Sequence, residues 1–359
     1  MNRVHNFTAG PCTLPTEVLE EVAAEMADFE GTGMGIVETS HRTPIYDAVH
    51  SNALDRVRSI SGAPDNFEIA FIPGGATMMF SLIPLNLLGG GGRGGYLGTG
   101  AWANRALADA RRCGAEVYSV WDADGPTAIP PAEFHLEKDT RYLHITPNET
   151  IDGVRMVRFP KVEVPLVADV SSEYLARPID WNRMGLVYGG VQKNLAPAGI
   201  ALVFVRTDLL EGERLLGSAT NLSWYTANRA LGNTPPMFQI YLMGKMLRWI
   251  EDRGGVAGLE KASTEKAGMI YDVIDASGFY SSPVPAEIRS LTNVVFRLPT
   301  EDLEKQFVAE AETAGMVGLK GHRSVGGIRA SLYAGLPVES AATLAQWMRD
   351  FEQEHSSTG

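Results

Sequence analysis

Short runs of hydrophobic residues, many of them β-branched, alternate along the chain with longer amphipathic stretches. The runs predict strands, and the clearest cover residues 68–72, 141–145, 163–169, 185–189 and 201–205. They are apolar throughout rather than at every second position, which is typical of a mainly parallel sheet buried on both faces. The amphipathic stretches predict helices at 17–29, 103–112 and 238–252. The pattern therefore indicates an α/β core.

A change in the pattern follows Gly254 and Gly255, two residues that favour a helix stop. Beyond them the sequence predicts fewer elements, namely helices at 259–277, 301–314 and 338–354 and a strand at 292–298. We therefore predict three parts: an N-terminal arm at 1–14, a large α/β domain at 15–255 and a small C-terminal α+β domain at 256–359.

The composition and net charge of the chain disfavour several classes of function. The 359 residues include 43 acidic and 31 basic side chains, a formal net charge of −12, which disfavours nucleic acid as a partner. Only two cysteines occur, so one chain cannot assemble a disulfide framework or a thiolate zinc site, and no metal site is predicted. With no apolar segment of about 20 residues and no signal-peptide pattern, we expect a cytoplasmic protein without a membrane partner.

Functional residues are expected just after the strands, because open parallel sheets bind ligands beyond the carboxyl ends of their strands. Gly74 and Gly75 follow the first of the predicted strands, and the helix after them begins with Ala76 and Thr77. The free amides and the dipole of such a helix start favour an anion. A plain strand-to-helix turn explains the same residues equally well.

Two charged residues occupy equivalent positions at later strands. Asp169 ends the run at 163–169, and Lys193 follows the run at 185–189. Taken alone, Asp169 fits a turn cap and Lys193 a solvated charge. Together with the anion site they fit pyridoxal phosphate. A lysine supplies the amine that binds the cofactor, a carboxylate keeps its ring nitrogen protonated, and a helix start holds its phosphate.

Two further residues at the same edge fit this hypothesis. Trp102 opens a predicted helix and would stack on the cofactor ring, and Thr150 follows the run at 141–145 and would offer a hydroxyl to the ring. Packing against the sheet edge is the alternative for Trp102, and turn capping is the alternative for Thr150.

Several blocks of the sequence resemble the phosphoserine aminotransferase family, in the order in which that family has them. They are NFTAGPCTLP, VETSHR, TPNETIDG, DVSSEYLARPID, YGGVQKNLAPAG, GNTPPMF and KGHRSVGGIRASLYAG. The resemblance covers nearly the whole chain from Asn6 onward. It implies a fold-type I, class V aminotransferase that depends on pyridoxal phosphate, with a seven-stranded, mainly parallel sheet in its large domain. It also implies a cytoplasmic homodimer with shared active sites.

The activity that the resemblance implies belongs to serine biosynthesis. It is the reversible transamination of 3-phosphohydroxypyruvate with L-glutamate, which gives O-phospho-L-serine and 2-oxoglutarate. The 4-phosphohydroxythreonine step of pyridoxine biosynthesis is implied as a second reaction. Lys193 would be the Schiff-base lysine and general acid–base, and Asp169 the partner of the ring nitrogen. The other implied cofactor-binding residues are Ala76, Thr77, Trp102, Thr150 and Gln192 from the same chain and Asn233 and Thr234 from the other subunit.

Charge identifies candidates for substrate binding, since an acidic protein must concentrate cations where it holds a phosphorylated acid. By resemblance Arg329 binds the α-carboxylate, and the pairs His41–Arg42 and His322–Arg323 address the distal phosphate. Solvated surface charge is the alternative for both pairs. Two positions depart from the family pattern: Thr77 stands where several members have arginine, and Ala9 where serine is common. The resemblance therefore implies one guanidinium contact and one hydroxyl contact fewer than in those members.

Three other functions stay open from the residues. The first is another class V aminotransferase, acting on alanine, serine or glyoxylate. The second is a cysteine desulfurase, which is disfavoured because neither Cys12 nor Cys113 follows shortly after the lysine region. The third is a protein that holds the cofactor without turnover. It is disfavoured by the joint presence of Lys193, Asp169 and Arg329.

Overall fold

The computed structural model describes residues 3–126, 128–131, 133–212 and 215–356. The first two residues of the predicted arm, four residues of the predicted large domain and the last three of the predicted small domain lie outside them. The strands of the described part are β1 His5–Asn6, β2 Phe67–Gly74, β3 Arg93–Gly98, β4 Val117–Asp122, β5 Thr140–Ile145, β6 Asn148–Glu149, β7 Val154–Arg155, β8 Leu166–Asp169, β9 Met184–Gly190, β10 Gly199–Arg206, β11 Asn293–Phe296, β12 Met316–Val317 and β13 Ile328–Ser331.

The α-helices of the same residues are α1 Thr16–Glu25, α2 Pro44–Ser61, α3 Ala76–Leu87, α4 Ala101–Arg112, α5 Leu222–Ala227, α6 Met237–Glu251, α7 Gly255–Ala276, α8 Glu301–Thr313 and α9 Val338–His355. Within the described ranges, none of them combines the length and the hydrophobicity that crossing a membrane requires.

One seven-stranded sheet organises the first two thirds of the chain, in the order β2, β10, β9, β8, β5, β3, β4. Only β10 is antiparallel to its neighbours β2 and β9, and the remaining pairs are parallel. The predicted α/β fold with a mainly parallel sheet is therefore confirmed. Because β2, β9, β8, β5, β3 and β4 run the same way, their carboxyl ends lie at one edge.

Alternate residues of each strand enter different hydrophobic clusters on the two faces of this sheet. On β8, Leu166 and Ala168 pack in one cluster with residues of α2 and α6, while Val167 packs in the other with residues of α3 and α4. Both faces are therefore covered by helices, which explains why the strands are apolar at every position.

The first helix is shorter than the pattern predicts. It ends at Glu25 rather than near residue 29, and Phe29–Gly31 form a separate 3₁₀ turn. The Asp28 carboxylate accepts the Gly33 amide at 2.7 Å, and the Phe29 ring packs edge-on against Tyr241 of α6 at 5.6 Å. Burial of Phe29 against α6 thus overrides the continuation of the helical pattern.

The C-terminal third packs around its own cluster, which also takes in the N-terminal residue Phe7. Strand β1 pairs in parallel with β12, and β11 pairs antiparallel with β13. Helix α7 joins the two regions, because its Leu259 belongs to a sheet cluster and its Ala267 to the C-terminal one. The domain boundaries at 14 and 255 stay a prediction.

Candidate functional site

A cavity of about 330 Å³ opens at the carboxyl edge of the sheet. It brings together seven of the predicted residues, namely Ala76, Thr77, Trp102, Thr150, Asp169, Gln192 and Lys193. A larger cavity of about 540 Å³, between the N-terminal arm, α1 and the start of α9, contains none of them. The smaller cavity is therefore the candidate site.

Lys193 lies in the turn after β9, and its side chain is buried in this cavity. Its Nζ donates to Thr150 Oγ1 at 2.5 Å and lies 5.4 Å from the centroid of the Trp102 ring. Burial lowers the pKa of the amine to about 8, and the charge of Arg329 adds to this, whereas Asp169 and Glu149 raise it. Near neutral pH the amine can therefore exist in both protonation states.

Asp169 ends β8, and its carboxylate is held in one orientation. Its Oδ1 accepts the amide of Ser171 at 3.0 Å and the hydroxyl of Ser171 at 2.5 Å. The Ser171 hydroxyl oxygen accepts the Gly190 amide from the end of the next strand at 2.9 Å. Burial raises the pKa of Asp169, while the Ser171 hydroxyl and the Lys193 charge oppose that rise.

The start of α3 forms a third part of the site. Gly75 precedes its first residue, Ala76, and no side chain caps its amides. A Cβ atom placed on Gly75 would meet nothing within 4 Å, so the space before the helix start is open. Gly74, with φ of +116°, provides the turn from β2 into this helix. The uncapped amides and the helix dipole can therefore bind an anion.

Glu149 is a site residue that the sequence interpretation missed. It is 1% exposed at the end of β6, and its Oε1 accepts the Thr99 hydroxyl at 3.3 Å. Burial raises the pKa of this carboxyl group to about 7; the bonds from the Ala103 and Trp102 amides oppose that rise, and the charges of Asp152 and Asp169 add to it. It ends the two-residue strand β6, which the hydrophobic pattern does not mark, so the strand-end rule that identified Asp169 did not identify Glu149.

The predicted substrate-binding residues differ in how near they lie to the cavity. Arg329 on β13 donates from Nη1 to the Thr150 carbonyl at 3.4 Å, which puts it beside Lys193. His322 is half-buried and close enough to Asp152 for its charge to lower that carboxyl's pKa, although burial raises that pKa overall. Arg329 lies next to the cavity but is not among its lining residues, and the other predicted residues outside the lining in this chain are His41, Arg42, His322, Arg323, Asn233 and Thr234.

The remaining side chains of this group differ in exposure. His41 is buried, and its Nε2 has no hydrogen-bond partner among the described residues. Arg42, Arg323, Asn233 and Thr234 are exposed on the isolated chain. Their roles stay predictions. For Asn233 and Thr234 the prediction itself places the contact in a second subunit.

Taken together, the site offers an amine of lowered pKa, a buried carboxylate, an open helix start and a guanidinium group. This set can form a covalent bond to a carbonyl compound, balance a positive charge on it, and hold two anionic groups.

Comparison with known proteins identifies similar chains. The family described as Aminotransferase class-V matches residues 4–341. A phosphoserine aminotransferase of Niallia circulans is 46% identical over 356 residues, which cover 98% of each chain.

Two solved structures of phosphoserine aminotransferases are also similar to this chain. The phosphoserine aminotransferase from Bacillus circulans subsp. alkalophilus is 44% identical, covers 98% of this chain and 99% of its own, and has a TM-score of 0.95. The phosphoserine aminotransferase from Trichomonas vaginalis with bound PLP is 35% identical, covers 97% of this chain and all of its own, and has a TM-score of 0.93.

The lowered pKa of Lys193 predicts its reactivity. In full-length protein freed of bound aldehydes, labelling of Lys193 by a small amine-directed reagent should reach half its maximum near pH 8, because burial destabilises the ammonium form. Lys305, whose bond to Asp302 raises its pKa, is the control and should react only at higher pH. Peptide mass spectrometry measures both residues. Equal half-points for the two lysines would contradict the placement of Lys193.

Gly100, which precedes α4, should not tolerate a side chain. A Cβ atom there would lie 2.7 Å from Cγ and Cδ of Glu149 and 2.8 Å from Oδ2 of Asp152. We expect Gly100→Ala to lower the free energy of unfolding by about 1–3 kcal/mol through overpacking, measured by urea denaturation. Gly268→Ala, in α7 with nothing within 4 Å of its Cβ position, is the matched control. It should stabilise by about 0.5–1 kcal/mol.

Proposed function

The chain belongs to the class-V aminotransferase family, and on that premise we propose that it acts as a phosphoserine aminotransferase. It transfers the amino group of L-glutamate to 3-phosphohydroxypyruvate, giving O-phospho-L-serine and 2-oxoglutarate, in serine biosynthesis. The names of the relatives support the reaction. The structural observation that supports this proposal most directly is that Lys193, Asp169 and the open start of α3 line the same cavity.

The residues present fit pyridoxal phosphate. Lys193 fits its aldehyde, Asp169 its ring nitrogen, and the amides of Ala76 and Thr77 its phosphate. Trp102 would cover one side of the ring, and Gln192 and Thr150 complete the lining. When bound, this cofactor accepts an amino group covalently and withdraws electrons from the bonds next to it.

Lys193 moves the proton of the reaction. Its Nζ in the neutral form would take the proton from the α-carbon of the amino donor, and in the ammonium form it would give that proton to the carbon on the other side of the transferred nitrogen, which returns Nζ to its neutral form. A pKa near neutrality allows both directions, and burial brings the pKa of Lys193 to about 8. The Thr150 hydroxyl holds the amine in place through the 2.5 Å bond.

Asp169 contributes by electrostatics. Two bonds from Ser171 fix one of its oxygens, so the carboxylate needs no reorganisation to stabilise a positive charge in the cavity. Arg329 would hold the α-carboxylate of either substrate through its planar guanidinium group. The pairs His41–Arg42 and His322–Arg323 would bind the substrate phosphate.

The homodimer is part of this proposal. Asn233 and Thr234 are exposed on the single chain and are not among the residues that line its own cavity, as expected for residues that serve a second subunit. Activity on 4-phosphohydroxythreonine and a cytoplasmic location are also proposals, and both derive from the family resemblance.

The alternative of a cysteine desulfurase is disfavoured further, because such an enzyme needs a reactive thiol and Cys12 does not provide one. Burial raises the pKa of the Cys12 thiol to about 12, so this thiol stays protonated and is a poor sulfur acceptor.

Substrate preference tests the proposed function. With 2-oxoglutarate as acceptor, the protein should convert O-phospho-L-serine at a kcat/KM at least about 100-fold above that for L-alanine, because a bound phosphate contributes charge-assisted hydrogen bonds. A coupled assay of glutamate formation measures both. Equal values would favour the alanine–glyoxylate type of aminotransferase.

Replacement of the two central cations should give different kinetic effects. Lys193→Ala should lower kcat by about 10²–10⁴-fold because the proton carrier is lost. Arg329→Lys keeps the charge but loses the planar fork, so mainly KM for both substrates should rise, by about tenfold. Steady-state kinetics separate the two effects, and Lys305→Ala, an exposed lysine, is the control. Full turnover by Lys193→Ala would refute the mechanism.

A further inference from the structure

Glu149 caps a helix to which it does not belong. Its Oε2 accepts the amide of Trp102 and its Oε1 that of Ala103, each at 3.0 Å. These are the second and third residues of α4, whose N-cap residue Gly100 has no side chain to offer. A carboxylate from β6 therefore satisfies the free amides and the dipole of α4.

The capped helix carries the indole of the site. The Nε1 atom of Trp102 is buried and has no hydrogen-bond partner among the described residues. The indole nitrogen therefore makes no hydrogen bond that orients the ring, whose charged neighbours are the Arg105 guanidinium at 5.6 Å and the Lys193 amine, while its backbone amide is bonded to Glu149. The carboxylate of Glu149 thus holds the backbone that carries the ring, whose centroid lies 5.4 Å from the Lys193 amine.

Glu149 also lies close to Lys193, because the Lys193 Nζ donates at 2.5 Å to the hydroxyl of Thr150, the residue that follows Glu149. Burial raises the pKa of Glu149 to about 7 and lowers that of Lys193 to about 8, and the Glu149 carboxylate favours the charged form of the amine. The charged groups that act on this pair are Asp169 on β8, Asp152 after β6 and Arg329 on β13. Their own titratable neighbours are His322 beside Asp152, Tyr333 beside Arg329, and Tyr174 and Tyr188 beside Asp169. Arg329 opposes the charge of Lys193, and Asp169 favours it.

We propose that Glu149 is a positioning residue of the site: it fixes the Trp102 indole through the start of α4 and, as a carboxylate, stabilises the ammonium form of Lys193. That this role serves catalysis rests on the proposed function. The placement of Trp102 and the stabilisation of the Lys193 ammonium form can both be measured in the protein without cofactor. Above about pH 7 the carboxylate is ionised, so its effect on Lys193 is present there and is lost as the pH falls through that value.

Three variants separate the effects. Glu149→Gln keeps the size but removes the charge, and its NH₂ group would face an amide N–H that the carboxylate now accepts. Glu149→Asp keeps the charge but is one methylene shorter, so it cannot reach both amides. Glu25→Gln is the matched control, since it removes a carboxylate bonded to Lys245 in the contact between α1 and α6.

Two measurements on full-length, cofactor-free protein report the effects. The first is the pH at which labelling of Lys193 is half-maximal. The second is acrylamide quenching of the fluorescence that Trp102 contributes, obtained by difference from a Trp102→Phe protein. Glu149→Gln should lower the labelling half-point by about one pH unit and increase quenching. Glu149→Asp should increase quenching and leave the half-point near that of the wild type, and Glu25→Gln should change neither.

The holoenzyme gives an independent check. The pH at which the absorbance of bound pyridoxal phosphate changes should shift in Glu149→Gln and not in Glu25→Gln. If Glu149→Gln does not fold, as judged by circular dichroism, Glu149→Asp alone decides the Trp102 effect. Unchanged quenching in a folded Glu149 variant, or an unchanged Lys193 half-point in folded Glu149→Gln, would overturn the proposal. If the wild-type protein does not transaminate O-phosphoserine, the proposed function is refuted, but the labelling and quenching results still test the role of Glu149.

Discussion

An amine buried at the edge of a sheet needs neighbours that replace the water it has lost. Lys193 has a hydrogen bond to the Thr150 hydroxyl at 2.5 Å and the charges of Asp169 and Glu149. The compensation is incomplete, because burial still lowers the pKa of the amine to about 8. A fully compensated lysine would stay protonated and a less compensated one would stay neutral. The partial compensation leaves an amine that can both take and give a proton, and the rest of the site maintains it.

The neighbours of Lys193 are held by a polar network between the two main regions of the fold. The side-chain amide of Asn148, next to Glu149, donates to Ser172 Oγ at 2.9 Å and to Asn293 Oδ1 at 3.0 Å. Asn293 on β11 donates in turn to the Tyr333 hydroxyl oxygen at 3.0 Å. The residues after β5 therefore depend on strands of the C-terminal region. Because buried polar groups are costly to leave unpaired, this network resists displacement of either region.

Those features of the site that follow from strand direction could be predicted from the sequence. Parallel strands place their carboxyl ends at one edge, so Asp169, Lys193 and the glycines before α3 are predictable as neighbours without a structure. Glu149 was not recognised, because two-residue strand β6 carries too little hydrophobic pattern to mark a strand end. The end of α1 was missed because it is determined by the packing of Phe29 against α6, which lies more than 200 residues away. Asn233 and Thr234 are exposed, and the part of the chain that the structure describes shows no side-chain contact of theirs from which a role can be derived.

Charge balance explains why a chain with a net charge of −12 can hold doubly anionic ligands. In the cavity region, the charge of Lys193 is opposed by that of Arg329 and favoured by the carboxyl groups of Asp169 and Glu149, so cations there already have counter-charges. Attraction for the cofactor phosphate must therefore come mainly from groups without a counter-charge, and the uncapped start of α3 is such a group. A substrate phosphate needs a second source of positive charge, since Thr77 adds none. Under the proposed function the basic pairs at 41–42 and 322–323 would supply that charge, although neither pair lines the cavity of the single chain.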